Sequence, residues 1–98
     1  EKGDNPAIID FWAAWCGPCR QVAPVLEELA AEYGEEIYVY KVNVDEETEI
    51  ARAFGIQSLP TILYVPMTGT PQGVLGAVPK SQLKKAVDAL LLNKGEEK

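Results

Sequence analysis

Two cysteines stand three positions apart in Trp15-Cys16-Gly17-Pro18-Cys19-Arg20, and they are the only cysteines in the 98-residue chain. Thiols at that spacing can close into a disulfide and reopen without unfolding the rest of the molecule. The same arithmetic removes most competing readings. A structural zinc site takes about four protein ligands, and two cysteines with no histidine anywhere in the chain do not supply the usual set. A bridge closing so short a loop removes little entropy from the unfolded chain, which makes a structural staple the weaker alternative. A reversible redox pair is the reading this spacing favours when it sits near a βαβ pattern.

The flanking residues supply that pattern. Residues 7–13, Ala-Ile-Ile-Asp-Phe-Trp-Ala, are a short apolar run of the length of one buried strand, ending just before the cysteines. After the cysteines, Val22, Leu26, Leu29, Ala30 and Tyr33 recur at helical spacing, Glu27, Glu28 and Glu32 take the other face, and Gly34 provides the stop. Cys16 therefore falls at a strand-to-helix junction, where unpaired N–H groups and the positive end of the helix dipole favour a thiolate. It is expected to be the nucleophile. Cys19, one turn further in, is expected to be more buried and to act as the resolving thiol. Gly17 suits a tight approach to the helix, Pro18 is tolerated in a first turn, and Pro24 is expected to kink the helix.

Further along, residues 36–44 read as a second strand and residues 47–54 as a short helix ended by Gly55. Residues 61–65 form a third strand halted by Pro66, residues 67–72 a turn, and residues 73–77 a short edge strand. Residues 81–92 make an amphipathic helix with Leu83, Val87, Leu90 and Leu91 inward. The order is β-α-β-α-β-β-α, an α/β fold with a central mixed sheet flanked by helices. Residues 1–98 are expected to form a single domain, with residues 1–6 as a lead-in and 94–98 as a charged tail.

Charge narrows the partners. A net charge of −6 with scattered Lys and Arg offers no basic stripe for nucleic acid. No apolar run approaches the length of a membrane span. Asp10 lies in the middle of a strand expected to be covered on both faces, where desolvation raises a carboxyl pKa and suits it to proton exchange. The alternative is an aspartate that merely pairs with Lys41.

The run Asp10-Phe11-Trp12-Ala13-Ala14-Trp15-Cys16-Gly17-Pro18-Cys19-Arg20, with Ala23-Pro24 following, strongly resembles the thioredoxin family. The likeness continues through Lys41-Val42-Asn43-Val44-Asp45, Phe54-Gly55-Ile56, Leu59-Pro60-Thr61 and Gly76-Ala77, and so covers residues 6–92. It implies a thioredoxin-like sheet in the spatial order second, first, third, fourth strand. By resemblance, Asp10 assists deprotonation of the resolving thiol, with Lys41 beside it. Sequence alone favours a trans bond before Pro60; the family implies cis, with Leu59 offering backbone groups to an extended substrate. Gly76, which by itself suggests a bulge or close backbone approach, lies beside the substrate in the family. Trp15, Gly17, Pro18, Leu59, Pro60, Gly76 and Ala77 are expected to form a flat, weakly polar patch around Cys16.

The implied activity is that of a protein disulfide reductase with no bound cofactor beyond the Cys16–Cys19 disulfide. The implied electron donor is a flavin-dependent thioredoxin reductase, or a membrane thiol relay. A thiol oxidant or isomerase, and a non-catalytic binding module, are the alternatives. The expected location is cytoplasmic, or periplasmic if an upstream signal has been removed. Family members usually carry a further strand and helix at the N-terminus that this chain lacks. The strand at residues 37–44 is then expected to be an open edge that either supports self-association or is covered by upstream residues of a longer natural chain.

Overall fold

A chain whose two parallel strands are joined through a helix must place that helix across one sheet face, and the α/β order predicted from the pattern is the one observed. The computed structural model describes residues 5–67, 71–75 and 79–92. Strand β1 (Ala7–Trp12) leads into helix α1 (Gly17–Tyr33), then β2 (Tyr38–Asn43), α2 (Thr48–Ala53), β3 (Thr61–Val65), β4 (Gln72–Leu75) and α3 (Lys80–Ala86). The sheet runs β2-β1-β3-β4. β1 and β2 are parallel, as a helical crossover requires, and the other neighbours are antiparallel. This is the mixed sheet that the resemblance implied.

Helix α1 runs unbroken through Pro24 and ends at Gly34, whose φ of 57° lies in the region glycine adopts most readily, and whose N–H caps the Ala30 carbonyl. The chain does not enter β2 at residue 36. Gly34–Glu36 form a single 3₁₀ turn with exposed acidic side chains, Ile37 is buried as its cap, and strand pairing starts at Tyr38. Gly55 ends the second helical segment with φ 67°. The last helix begins at Lys80, directly after Pro79, and over Val87–Leu91 it widens into a π-helical turn. Gly76 and Ala77 lie outside the described residues, as do residues 1–4 of the lead-in, 68–70 of the turn and the tail at 94–98.

The core lies on the α1 face of the sheet. Ile8, Ile62 and Tyr64 project from the strands against Val22, Leu26 and Leu29 of α1 and Leu83, Val87 and Leu91 of the C-terminal helix. Tyr33 also ties the two helices, its hydroxyl donating to Asp88 Oδ1 at 2.6 Å. The other sheet face is covered less. Phe11 is fully buried and packs its ring on Phe54 at 5.7 Å, but Ile9, Tyr38, Tyr40, Val65 and Met67 line an open groove of about 380 Å³. Coverage of β1 is therefore uneven, with Ile9 half-buried while Asp10 is 1% and Phe11 0% exposed.

These packing differences set unequal costs for truncation. Leu26→Ala, which removes a side chain with no exposed surface, should destabilise the protein by about 2–5 kcal/mol. Ile50→Ala, at a residue 40% exposed, should cost less than about 1 kcal/mol. Urea unfolding of the two variants beside the parent checks the ranking.

Candidate active site

The cysteines sit where β1 gives way to α1. Cys16 is the N-cap residue, with extended backbone, and Gly17 and Pro18 open the helix. Cys16 and Cys19 are joined in a disulfide, their Cα atoms 5.3 Å apart. The Cys19 N–H donates to Cys16 Sγ at 3.2 Å, so the sulfur occupies the position of a capping oxygen. The Cys16 N–H in turn donates to the Ala13 carbonyl at 3.1 Å, fixing the turn that precedes it. The expected difference in exposure is not found: both cysteines are 4% exposed. Each is covered in the oxidised form because the pair packs with Ala13 under Trp12, Val44 and Leu59.

What separates the two sulfurs is their polar surroundings. Cys16 faces the donors of the helix N-terminus, whereas Cys19 lines a cavity of about 170 Å³ with Asp10, Trp12, Arg20, Ala23 and Lys41. Asp10 is 1% exposed and its Oδ1 has no hydrogen-bond partner. Burial raises its pKa to about 6, against a smaller opposing pull from the Lys41 ammonium. Lys41 stands beside Asp10 in the β1–β2 register, yet its ammonium forms its ion pair with Glu27 Oε2 at 3.5 Å. The simple strand pairing of Asp10 with Lys41 is therefore not the arrangement seen. The indole N–H of Trp12 is likewise buried without a partner.

The remaining residues expected around Cys16 are distributed unevenly. Trp15 is 69% exposed, and Gly17 and Pro18 are exposed beside it. A side chain at Gly17 would meet nothing within 4 Å, so this glycine does not relieve a crowded backbone. Leu59 is half-buried against the cysteine cluster. The Leu59–Pro60 peptide bond is cis, as the resemblance implied, and Pro60 is fully buried. Thr61 Oγ1 donates to the Ser58 carbonyl at 2.7 Å, bracing this loop. Gly76, outside the described residues, is not placed.

Two contacts escaped the reading of the sequence. The Trp15 indole N–H donates to Asp45 Oδ2 at 2.9 Å, and Arg20 Nη2 donates to the Ala14 carbonyl at 3.0 Å. The strand register could have indicated the first: Trp12 and Asn43 are partners at the parallel ends of β1 and β2, and Trp15 and Asp45 follow them by three and two residues.

The buried carboxyl makes a signed prediction. A folded pKa near 6 against an ordinary 3.8 favours folding fully below pH 4, and that contribution is lost as pH rises through 6. Relative to the parent, Asp10→Asn should therefore gain stability between pH 4 and about 6, levelling off above that. The total gain should be about 3 kcal/mol at about 1.4 kcal/mol per pH unit. A stability difference independent of pH between 4 and 8, measured by denaturant titration, would show that the carboxyl is not shifted.

Similarity to known proteins agrees with this geometry. The family model described as Thioredoxin matches residues 1–89. A chloroplastic M-type thioredoxin of Pisum sativum is 46% identical over 85 residues, which are 87% of this chain and 49% of that protein. The thioredoxin of Borreliella burgdorferi (strain ATCC 35210 / DSM 4680 / CIP 102532 / B31) is 51% identical over 75 residues, 76% of this chain and 64% of the relative. That of Alicyclobacillus acidocaldarius subsp. acidocaldarius is 47% identical over 83 residues, 85% of this chain and 79% of the relative. The chain thus spans about half the length of the chloroplast relative and more of the bacterial ones. The sheet order, the disulfide at the head of α1 and these likenesses together establish that the chain belongs to the thioredoxin family.

Proposed function

We propose that this chain is a thiol–disulfide oxidoreductase that reduces disulfides in other proteins. The observation that carries the reading is the Cys16–Cys19 disulfide closed across the first turn of α1, with a backbone N–H directed at Cys16 Sγ. In the reduced protein that N–H and the helix dipole favour the Cys16 thiolate. The thiolate attacks one sulfur of a substrate disulfide, forming a mixed disulfide and releasing the other substrate sulfur as a thiolate that takes up a proton. Asp10, on the cavity that Cys19 lines, accepts the Cys19 proton. The Cys19 sulfur then attacks Cys16 Sγ and displaces the second substrate thiolate, which is protonated in its turn. Two electrons pass from the protein dithiol to the substrate, and the protein is left as the disulfide. Lys41 moderates the Asp10 carboxyl from the neighbouring strand.

In this reading residues 1–98 act as one domain and require no bound cofactor. Trp15, Gly17, Pro18 and Leu59 form the surface that meets the substrate, Leu59 through its backbone, with Pro60, itself buried, completing the Leu59 loop; the expectation for Gly76 falls on a residue outside the described ones. A thioredoxin reductase or a membrane thiol relay restores the dithiol. Among the described residues no helix is long and apolar enough to cross a membrane. A cytoplasmic setting, with the periplasm as alternative, belongs to the same proposal. β2 is the outer strand of the sheet, and its exposed Tyr38 and Tyr40 make residues 37–44 a candidate surface for self-association. Sedimentation at rising concentration tests that surface: a monomer throughout excludes it.

With insulin as substrate and dithiothreitol as electron donor, Cys16→Ser should abolish turnover. Cys19→Ser should retain the attack but accumulate a mixed disulfide through Cys16, detected by mass spectrometry. Asp10→Asn should slow release from that mixed disulfide without changing which sulfur carries it. Turnover surviving in Cys16→Ser would overturn the proposed roles.

A further inference from the structure

We propose that Asp45 and Arg20 are positioning residues for substrate docking, holding the turn that carries Trp15 from two sides; the inference rests on the function proposed above. The turn between β1 and α1 carries a large apolar group, Trp15, at 69% exposure. An indole with so little packing around it has no hydrophobic reason to hold one orientation. Hydrogen bonds supply one instead. Asp45 Oδ2 accepts the indole N–H at 2.9 Å, and the Arg20 guanidinium, one turn into α1, holds the preceding carbonyl of Ala14 at 3.0 Å.

The Asp45 side of the clamp is itself built. Asn43 Oδ1 accepts the Asp45 N–H at 2.9 Å, and the Asn43 carbonyl accepts the N–H groups of Glu46 and Glu47 at 3.1 and 2.8 Å. Asn43 is in register with Trp12, and the Val44 N–H donates to the Trp12 carbonyl at 2.9 Å. Asp45 is thus referenced to the end of β1, the same strand end from which the Trp15 turn departs. The orientation of the indole is set by a contact anchored to the sheet and not by the substrate. A platform fixed before binding loses less conformational freedom when a protein docks on it. Its loss should weaken docking and leave the sulfur exchange itself, held by the helix N-terminus, unchanged.

The test uses Asp45→Ala and Asp45→Asn in the whole chain, with insulin as substrate and ¹⁵N relaxation of the Trp15 indole N–H as a readout independent of activity. Asp45→Ala should raise KM about 2- to 10-fold, the effect of one net hydrogen bond, with kcat unchanged and the indole mobile on the nanosecond scale. Asp45→Asn keeps an acceptor oxygen and should restore both KM and indole rigidity. Arg20→Met should loosen the same indole, and Arg20→Lys, which retains a donor, should restore it. An Asp45→Ala protein with a rigid indole or an unchanged KM overturns the proposal, as does Asp45→Asn behaving like Ala. If the parent reduces no insulin, the function reading fails, while the relaxation data still decide whether the two residues hold the turn.

Discussion

Parallel pairing of β1 with β2 is the constraint on which the rest depends. It obliges the chain to cross from the end of one strand to the start of the other, and α1 is that crossover. Both strands therefore finish at the same end of the sheet. The turn leaving β1 leads into the cysteines, and the turn leaving β2 bears Asp45, so Trp15 and Asp45 meet although they are 30 positions apart in sequence. Open α/β sheets commonly place function beyond the carboxyl ends of their parallel strands for this reason.

The same geometry gives two chemically similar sulfurs different surroundings. One caps a helix and receives a backbone N–H. The other borders a cavity that holds a buried carboxyl with a raised pKa. Exposure does not distinguish them, since both are covered in the disulfide form. In the proposed mechanism the division of labour between the thiols rests on electrostatics: a thiolate favoured at Cys16 by the helix N-terminus, and Asp10 as proton acceptor near Cys19.

Much of this was legible in the chain before the fold was known. The apolar run before the cysteines, the 3.6-residue periodicity after them and the glycines at 34 and 55 fixed β1, α1 and the end of α2, because each reflects a local preference. The strand starts later than residue 36 because Gly34–Glu36 close a 3₁₀ turn and buried Ile37 caps it before pairing begins at Tyr38. The last helix ends in a π-helical turn over Val87–Leu91, with Val87 and Leu91 in the core, a change of winding that the 3.6-residue periodicity does not encode. At the site, Cys16, Cys19 and Asp10 announced themselves by type and spacing. The destination of Lys41, to Glu27, and the tether from Trp15 to Asp45 did not, because both join residues distant in sequence whose meeting requires the strand register.

The central claim is that the helix N-terminus makes Cys16 the thiolate of the pair. Alkylation of the reduced protein by iodoacetamide across pH, with each cysteine followed by mass spectrometry, tests it directly. The account predicts that Cys16 is labelled first and that its reactivity titrates below the ordinary cysteine value of about 8.5. Faster labelling of Cys19, or a Cys16 titration at or above that value, would contradict it.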